Sequence, residues 1–250
     1  MTRQHLALRC TVAIALTVAL TNVGRAQEQG RTTVAPKPAP AKKALDPGRA
    51  GAFEILAGGE YLLGESLGSA TATMLANNTG TSPYNYFSTS ATRQAAPAFR
   101  AGVGYNITRM LTVEGGFLMS RGDVKADISG DVEQVPATTA TSRLTQYVFD
   151  ASLVARFSTL AFSKGAGLPF VEAGAGYLRQ MLEGNIAKET GQIYHFGGGV
   201  QYLWRSRPGS RTSGIGFRAG ARAYVRHGGV SFSGSSAVYL GINGALLVVF

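Results

Sequence analysis

From residue 51 onward the sequence consists of short segments in which apolar residues alternate with small or polar ones. Eight such segments follow one another, at 52–63, 98–107, 110–120, 146–157, 170–180, 194–204, 215–226 and 237–250. Alternation with a period of two predicts a β-strand that has one apolar and one polar face. The pattern therefore predicts an all-β fold, and 33 glycines with only 15% charged residues suit such a chain of strands and turns.

The last segment, AVYLGINGALLVVF, indicates the environment of the apolar face. One face holds Val238, Leu240, Ile242, Gly244, Leu246, Val248 and Phe250, and only this face is apolar nearly throughout. The segment is too short for a membrane-spanning helix, which needs about 20 residues, but it suits a tilted membrane strand of roughly 9–11. Because backbone polar groups in hydrocarbon must all be paired, such a sheet has to close on itself. We expect an eight-stranded antiparallel up-and-down transmembrane β-barrel over 51–250.

Two further features favour a membrane barrel over a soluble sandwich with one wet face. Aromatic residues concentrate near strand ends on the apolar faces, as expected for girdles at two membrane interfaces: Phe53, Tyr61, Phe99, Tyr105, Tyr147, Phe157, Tyr177, Tyr194, Tyr202, Trp204 and Phe250. The connections 64–97 and 121–145 are long and the one after the second strand is short, which fits external loops and periplasmic turns. The connection 158–169 is long for a periplasmic turn. An even number of strands places the C-terminus in the periplasm beside the N-terminal tail.

Residues 1–26 have the pattern of a secretory signal peptide. Arg3 and Arg9 precede an apolar stretch, and Gly24 and Ala26 form a small-residue cleavage motif, so we expect cleavage after Ala26. The only cysteine, Cys10, leaves with this peptide. The mature chain then has no thiol for a disulfide, a nucleophile or a metal ligand.

Residues 27–50 form a Pro/Ala/Lys-rich segment, which predicts a flexible, disordered periplasmic tail. Its lysines Lys37, Lys42 and Lys43 are candidates for contact with an anionic cell wall, and a solvated linker is the simpler interpretation. The net charge of +10 is not evidence for nucleic-acid binding, because the arginines are scattered along the strands of an exported chain.

The polar faces of the predicted strands carry a balanced set of charges that point into the barrel. They are Glu54, Glu60, Arg100, Glu114, Asp150, Arg156, Glu172, Arg218, Arg222 and Arg226. Buried charges are costly unless they are paired, and the arginine fork binds a carboxylate with two hydrogen bonds. We expect an internal salt-bridge network that fills the lumen. The alternative is a narrow pore, in which Arg218, Arg222 and Arg226 on one strand face would favour anions.

Other parts of the chain suggest weaker functional hypotheses. The predicted loop 64–96 is rich in Ser, Thr and Asn, and its Tyr84, Tyr86 and Phe87 are candidates for contact with an extracellular ligand, although the loop can also be a flexible shield. A lipid-modifying enzyme would need a nucleophile and a base. His195 is predicted to point inward, and His227 lies near Ser231 and Ser233 without an acidic residue close by in sequence. We expect no catalytic residue, cofactor or metal.

Several strand-and-glycine phrases resemble a known family: AFRAGVGYNI, LTVEGGF, FVEAGAGY, HFGGGVQY and the closing YLGINGALLVVF. They are similar to the small eight-stranded outer-membrane barrels of Gram-negative bacteria, of the opacity-protein and OmpA/OmpX kind, over roughly 51–250. The resemblance implies contact with outer-membrane lipid. It also implies a C-terminal signal for the barrel-assembly machinery, here Ile242, Leu246, Val248 and Phe250. The wall-binding domain that follows some of these barrels is expected to be absent.

These barrels do several jobs, so the resemblance predicts the fold better than the function. The function that we favour is a structural one, in membrane integrity, with surface-exposed loops for contacts. A weakly anion-selective pore is the second hypothesis and a lipid-modifying enzyme is the third.

Overall fold

The computed structural model describes residues 50–74, 84–130, 136–185, 187–205, 214–231 and 236–250. The predicted signal peptide and nearly all of the predicted tail lie outside these residues. The described residues form the strands β1 (Phe53–Leu62), β2 (Glu65–Met74), β3 (Tyr84–Arg93), β4 (Ala96–Asn106), β5 (Leu111–Ser129), β6 (Thr138–Arg156), β7 (Gly167–Leu182), β8 (Lys188–Arg205), β9 (Gly214–Gly228) and β10 (Ala237–Val249). In this part of the chain, no helix is both long and apolar enough to cross a membrane.

Eight of the strands close into an antiparallel barrel. Each strand pairs with its neighbours in the order β1, β4, β5, β6, β7, β8, β9 and β10, and β10 returns to pair with β1. The closing pair runs from Glu54 opposite Val249 to Leu62 opposite Gly241. The predicted all-β up-and-down barrel of eight strands is therefore confirmed.

The prediction of a long first loop is wrong, because most of 64–96 is a β-hairpin. Strand β2 continues β1 after a break at 63–64, and β3 leads into β4 after a break at 94–95. Strand β3 also pairs with the outer half of β5, where Arg93 lies opposite Val124. The predicted loop 121–145 is likewise mostly strand, since β5 extends to Ser129 and β6 begins at Thr138. These extensions carry Ser, Thr and charged residues on their outer faces, so they lack the apolar alternation on which the prediction depended.

The opposite end of the barrel, called the short-turn end below for its turn 107–110, holds both ends of the described chain. Residues 107–110 join β4 to β5, and 157–166 join β6 to β7 through two short 3-10 turns. Strand β7 begins at Gly167, so it runs further than the predicted 170–180. The backbone N–H of Phe250 donates to the carbonyl of Phe53 at 2.9 Å.

The outer wall of the barrel is apolar along its middle. Large exposed hydrophobic residues occur on all eight barrel strands, among them Phe53, Phe99, Val113, Phe149, Tyr177, Phe196, Phe217 and Ile242. Aromatic rings pair near the short-turn end, where Phe53 and Tyr105 are 5.1 Å apart. They also pair towards the hairpins, where Phe117 and Phe149 are 5.1 Å apart. This apolar outer wall between 53 and 250 is called the belt below.

Candidate functional site

All ten charged residues of the predicted network are buried inside the barrel, with at most 7% of each residue exposed. They come from six of the eight barrel strands, at inward positions that alternate with outward ones. Because these groups are buried, the geometry of each pair decides whether its burial is tolerated.

The layer next to the short-turn end is centred on Glu54. Arg156 Nη2 donates to Glu54 at 2.6 Å, and Asn106 Nδ2 donates to it at 2.9 Å. The hydroxyl of Thr112 donates to Asn106 Oδ1 at 2.6 Å, and Arg156 Nε donates to Gln201 at 3.1 Å. Glu54 is thus held by a guanidinium and an amide, as a buried carboxylate requires.

The next layer contains two arginines that meet at one carboxylate. Arg218 Nη1 lies 2.5 Å from Glu114, and Arg100 lies 3.9 Å from the same group. Arg100 also donates to both oxygens of Asp150, at 3.1 and 3.3 Å. Because Arg218 is also 3.6 Å from Glu54, this layer and the previous one form a continuous network.

Arg222 lies between two carboxylates from opposite sides of the barrel. Its Nη2 donates to Glu172 Oε2 at 2.8 Å while its Nε donates to Oε1, and its Nη1 donates to Glu60 at 3.4 Å. The hydroxyl of Tyr224 donates to Glu60 at 2.6 Å. His195 is also buried, and its Nδ1 lies 4.0 Å from Asp150. Arg226, the third arginine on the inward face of β9, belongs to a separate layer nearer the hairpins.

Sequence analysis missed two residues of that layer, Glu65 and Arg93. Arg93 Nε lies 2.9 Å from Glu65, and Arg226 Nε lies 3.5 Å from the same carboxylate. Arg226 Nη1 also donates to the carbonyls of Gly228 and Val230, at 2.7 and 2.9 Å. Both missed residues fell within the predicted loop. The inward residues of β1 are even-numbered, so continuing its alternation would have placed Glu65 on the outward face; the break at 63–64 shifts the phase by one residue, and the alternation gave no signal for Glu65.

Apolar side chains fill the lumen between and beyond the charged layers. One cluster lies towards the short-turn end: Ala52, Leu56, Leu203, Leu247 and Val249. A second fills the outer half: Leu62, Ala98, Leu118, Val148, Leu178, Ile193, Tyr224 and Tyr239. A third supports the hairpin extensions: Leu67, Ala91, Val124 and Leu144.

The cavity beside the central arginines is very small. It lies against Arg100, Glu114, Arg218 and Arg222 and has a volume of about 10 Å³. Such a volume accommodates about one water molecule. Arg218 and Arg222 on β9 are therefore embedded in packed side chains and do not line an open channel at this level.

The remaining predicted residues lie outside the lumen network. Tyr86 and Phe87 form a ring pair at 5.8 Å on β3, where the prediction had a loop, and Tyr84 is the first residue of that strand. Ile242 and Leu246 of β10 and the following residue Phe250 are exposed on the belt, and Val248 is half-buried.

The candidate histidine of the enzyme hypothesis has a different partner from those expected. His227 Nδ1 lies 3.0 Å from Ser236 Oγ, and both residues are exposed. Ser231 donates instead to the carbonyl of Leu67 at 3.3 Å, and Ser233 lies outside the described residues. The described ranges contain no group of three or more His, Cys, Asp or Glu residues arranged to hold a metal ion.

No protein-family model matches the chain, and a comparison with curated proteins finds no match. Among solved structures, the chain is similar to Neisserial surface protein A, with 14% identity, a TM-score of 0.45, and coverage of 80% of this chain and 98% of the other. It is similar to OprG from Pseudomonas aeruginosa, with 12% identity, a TM-score of 0.45, and coverage of 82% and 97%. It is also similar to Ail of Yersinia pestis, with 15% identity, a TM-score of 0.38, and coverage of 80% of this chain and 99% of the other. Similarity at this level assigns neither a family nor a function to the chain.

Proposed function

We propose that the protein is a structural outer-membrane β-barrel with a closed interior, which stabilises the membrane and presents its hairpins at the surface. The observation that carries this proposal is the filled lumen. Ion-paired layers alternate with apolar layers, and the cavity beside Arg222 is only about 10 Å³. An interior of this kind makes the barrel rigid and leaves no path for solutes.

The outer wall supports the membrane location. Exposed phenylalanine, leucine, isoleucine and valine side chains on every barrel strand would be unfavourable in water and suit a hydrocarbon layer. The strand extensions β2, β3 and the outer halves of β5 and β6 lie at one end of the barrel, and both ends of the described chain lie at the other. This arrangement supports hairpins outside the cell and both chain ends in the periplasm. The predicted signal peptide supplies the route of export.

Single-channel conductance tests the closed lumen. The refolded protein is added to planar bilayers, and a heat-dependent gel shift on the same sample verifies that it has folded. We expect a silent bilayer. Discrete steps with anion preference would contradict the proposal and would give Arg218, Arg222 and Arg226 a transport role. No feature of the described lumen favours this pore hypothesis over a closed lumen.

The last strand is the proposed contact with the barrel-assembly machinery. Ile242, Leu246 and Phe250 share the exposed face of β10, at the strand that closes the barrel. Deletion of Phe250 is expected to reduce the amount of heat-modifiable protein in the outer membrane, while refolding of the same variant from urea stays near wild type. Normal membrane insertion of the truncated chain would contradict a role for this residue in assembly.

The outer hairpin is the proposed surface for extracellular contacts. Tyr86 is exposed and Phe87 is half-buried beside it on β3, and Ser and Thr side chains surround them. A strand-paired hairpin presents such aromatic residues in a fixed arrangement, in contrast to a flexible shield. The enzyme hypothesis has only the exposed pair of His227 and Ser236 to support it, and we do not propose it.

A further inference from the structure

The outer wall carries a basic cluster where the belt ends towards the hairpins. It consists of Arg121 on β5, Arg143 on β6 and Arg179 on β7, and all three residues are exposed. Their inward-facing neighbours Ser120, Leu144 and Gln180 are buried, so the arginines point away from the lumen. We refer to these three residues as the rim arginines.

The strand register places the rim arginines directly beyond outward aromatic residues. Tyr147 pairs with Arg179 on one side and with Met119 on the other. Two residues further out, Thr145 pairs with Arg121. Phe117, Phe149 and Tyr177 lie on the belt side of this row, and successive pairs join them across β5, β6 and β7. This is the height at which a lipid headgroup meets the wall of a membrane barrel.

The rim arginines have no protein partner among the described residues, although carboxylates are close by. No hydrogen bond or ion pair joins them to Asp123, which lies opposite Arg143, or to Glu183. Lys188, which pairs with Met181 on β8, adds a further exposed cation. The four cations outnumber the two carboxylates, so this sector of the wall attracts anions.

A cavity lies beside two of the rim arginines, Arg121 and Arg143. It has a volume of about 250 Å³ and is lined by Arg121, Arg143, Thr145, Met181, Leu182, Glu183 and Gly184. The guanidinium groups of Arg121 and Arg143, the Thr145 hydroxyl and the Glu183 carboxylate form the polar part of this lining, and Met181 and Leu182 form an apolar part; Arg179 lies outside it. The combination suits a ligand with an anionic head and an apolar body.

We propose that the rim arginines bind the phosphate of an anionic membrane lipid whose acyl chains lie along the belt over Phe117, Phe149 and Tyr177. This inference rests on the proposed membrane location. The guanidinium fork matches phosphate oxygens with two parallel hydrogen bonds. Cations near an anionic lipid surface are attracted to it, and the apolar wall below the cluster accepts acyl chains. A lipid is favoured over free phosphate because the strand register places the rim arginines directly beyond the belt residues Phe117, Phe149 and Tyr177.

Native mass spectrometry of the refolded protein in detergent micelles tests the site. The protein is incubated with phosphatidic acid or with phosphatidylcholine of the same acyl chains. We expect the wild type to retain phosphatidic acid preferentially. The triple variant Arg121→Gln, Arg143→Gln and Arg179→Gln is expected to lose about tenfold or more in affinity for phosphatidic acid, since each arginine contributes separately to the attraction. The matched control Arg109→Gln, in the turn at the other end of the barrel, is expected to bind like the wild type.

Three outcomes would overturn the proposal: equal retention by the triple variant and the wild type, an equal loss in Arg109→Gln, or displacement of the lipid by millimolar inorganic phosphate. Failure here is distinguishable from failure of the proposed function. A heat-dependent gel shift and a silent bilayer, together with unchanged lipid retention in the triple variant, would count against this site only.

Discussion

The arginines inside the barrel and those on its outer wall are in opposite environments. Arg100, Arg156 and Arg222 are buried, and each is bonded to a carboxylate. Arg121 and Arg143 are exposed on the outer wall and have no ion pair within the described part of the chain. The difference shows that burial dictates pairing, because an unpaired charge is tolerated only where water or headgroups can reach it. Interior arginines hold strands together, and exterior ones remain available to a ligand.

The largest loss of stability is expected from Arg222→Ala, which removes one of the buried and paired arginines. Removing this guanidinium leaves Glu172 and Glu60 without a cationic partner, and loss of one member of a buried pair typically costs about 3–5 kcal/mol. Urea unfolding of the refolded protein in lipid vesicles measures the change. A loss below about 0.5 kcal/mol, the range of ordinary surface substitutions, would indicate that water reaches these groups.

An intermediate loss of stability is expected when a methyl group is added at one of two adjacent glycines. Gly116 faces the lumen, and Gly115 faces the outer wall. Gly116 lies opposite Asp150, and an added Cβ would overlap the Asp150 carboxylate and crowd Arg100. Gly115 has no atom within 4 Å of such a Cβ. Gly116→Ala should therefore destabilise the barrel by about 1–3 kcal/mol through overpacking. Gly115→Ala is the control and should stay within about 0.5 kcal/mol of wild type. Equal effects in urea unfolding would mean that the interior is not closely packed.

The smallest effect on stability is expected from Arg143→Ala, the exterior counterpart of Arg222→Ala. Since the side chain is exposed and makes no ion pair in the described structure, unfolding free energy should change by less than about 0.5 kcal/mol. The same urea titration measures it. A loss as large as that of Arg222→Ala would remove the distinction between the two sets of arginines.

The strands could be predicted from the sequence where the two faces of a strand lie in different environments. Within the belt, an apolar outer face opposite a polar inner face makes the period of two visible, and all eight barrel strands were identified. Beyond the belt both faces contain small and polar residues, so the outer halves of β5 and β6 and the strands β2 and β3 were predicted as loops. Glu65 and Arg93 were missed for this reason.

The partners of the interior charges were not predictable from the sequence. Arg222 on β9 reaches Glu172 on β7 and Glu60 on β1 across the lumen. These pairings depend on how far neighbouring strands are staggered, which no single strand reveals. Proximity in the sequence was also a poor guide to the partner of His227, which lies beside Ser236, the residue just before β10.

The pairing of β1 with β10 makes the first and last strands neighbours like any other two. In terms of connectivity, the barrel is a ring of eight strands that is interrupted at one position, between β10 and β1. Phe250 already contacts Phe53, so a short linker between them would turn the interruption into another turn. New chain ends between β9 and β10, after Gly229, would then leave every pairing within the barrel intact, and a circularly permuted chain should reach the same native structure.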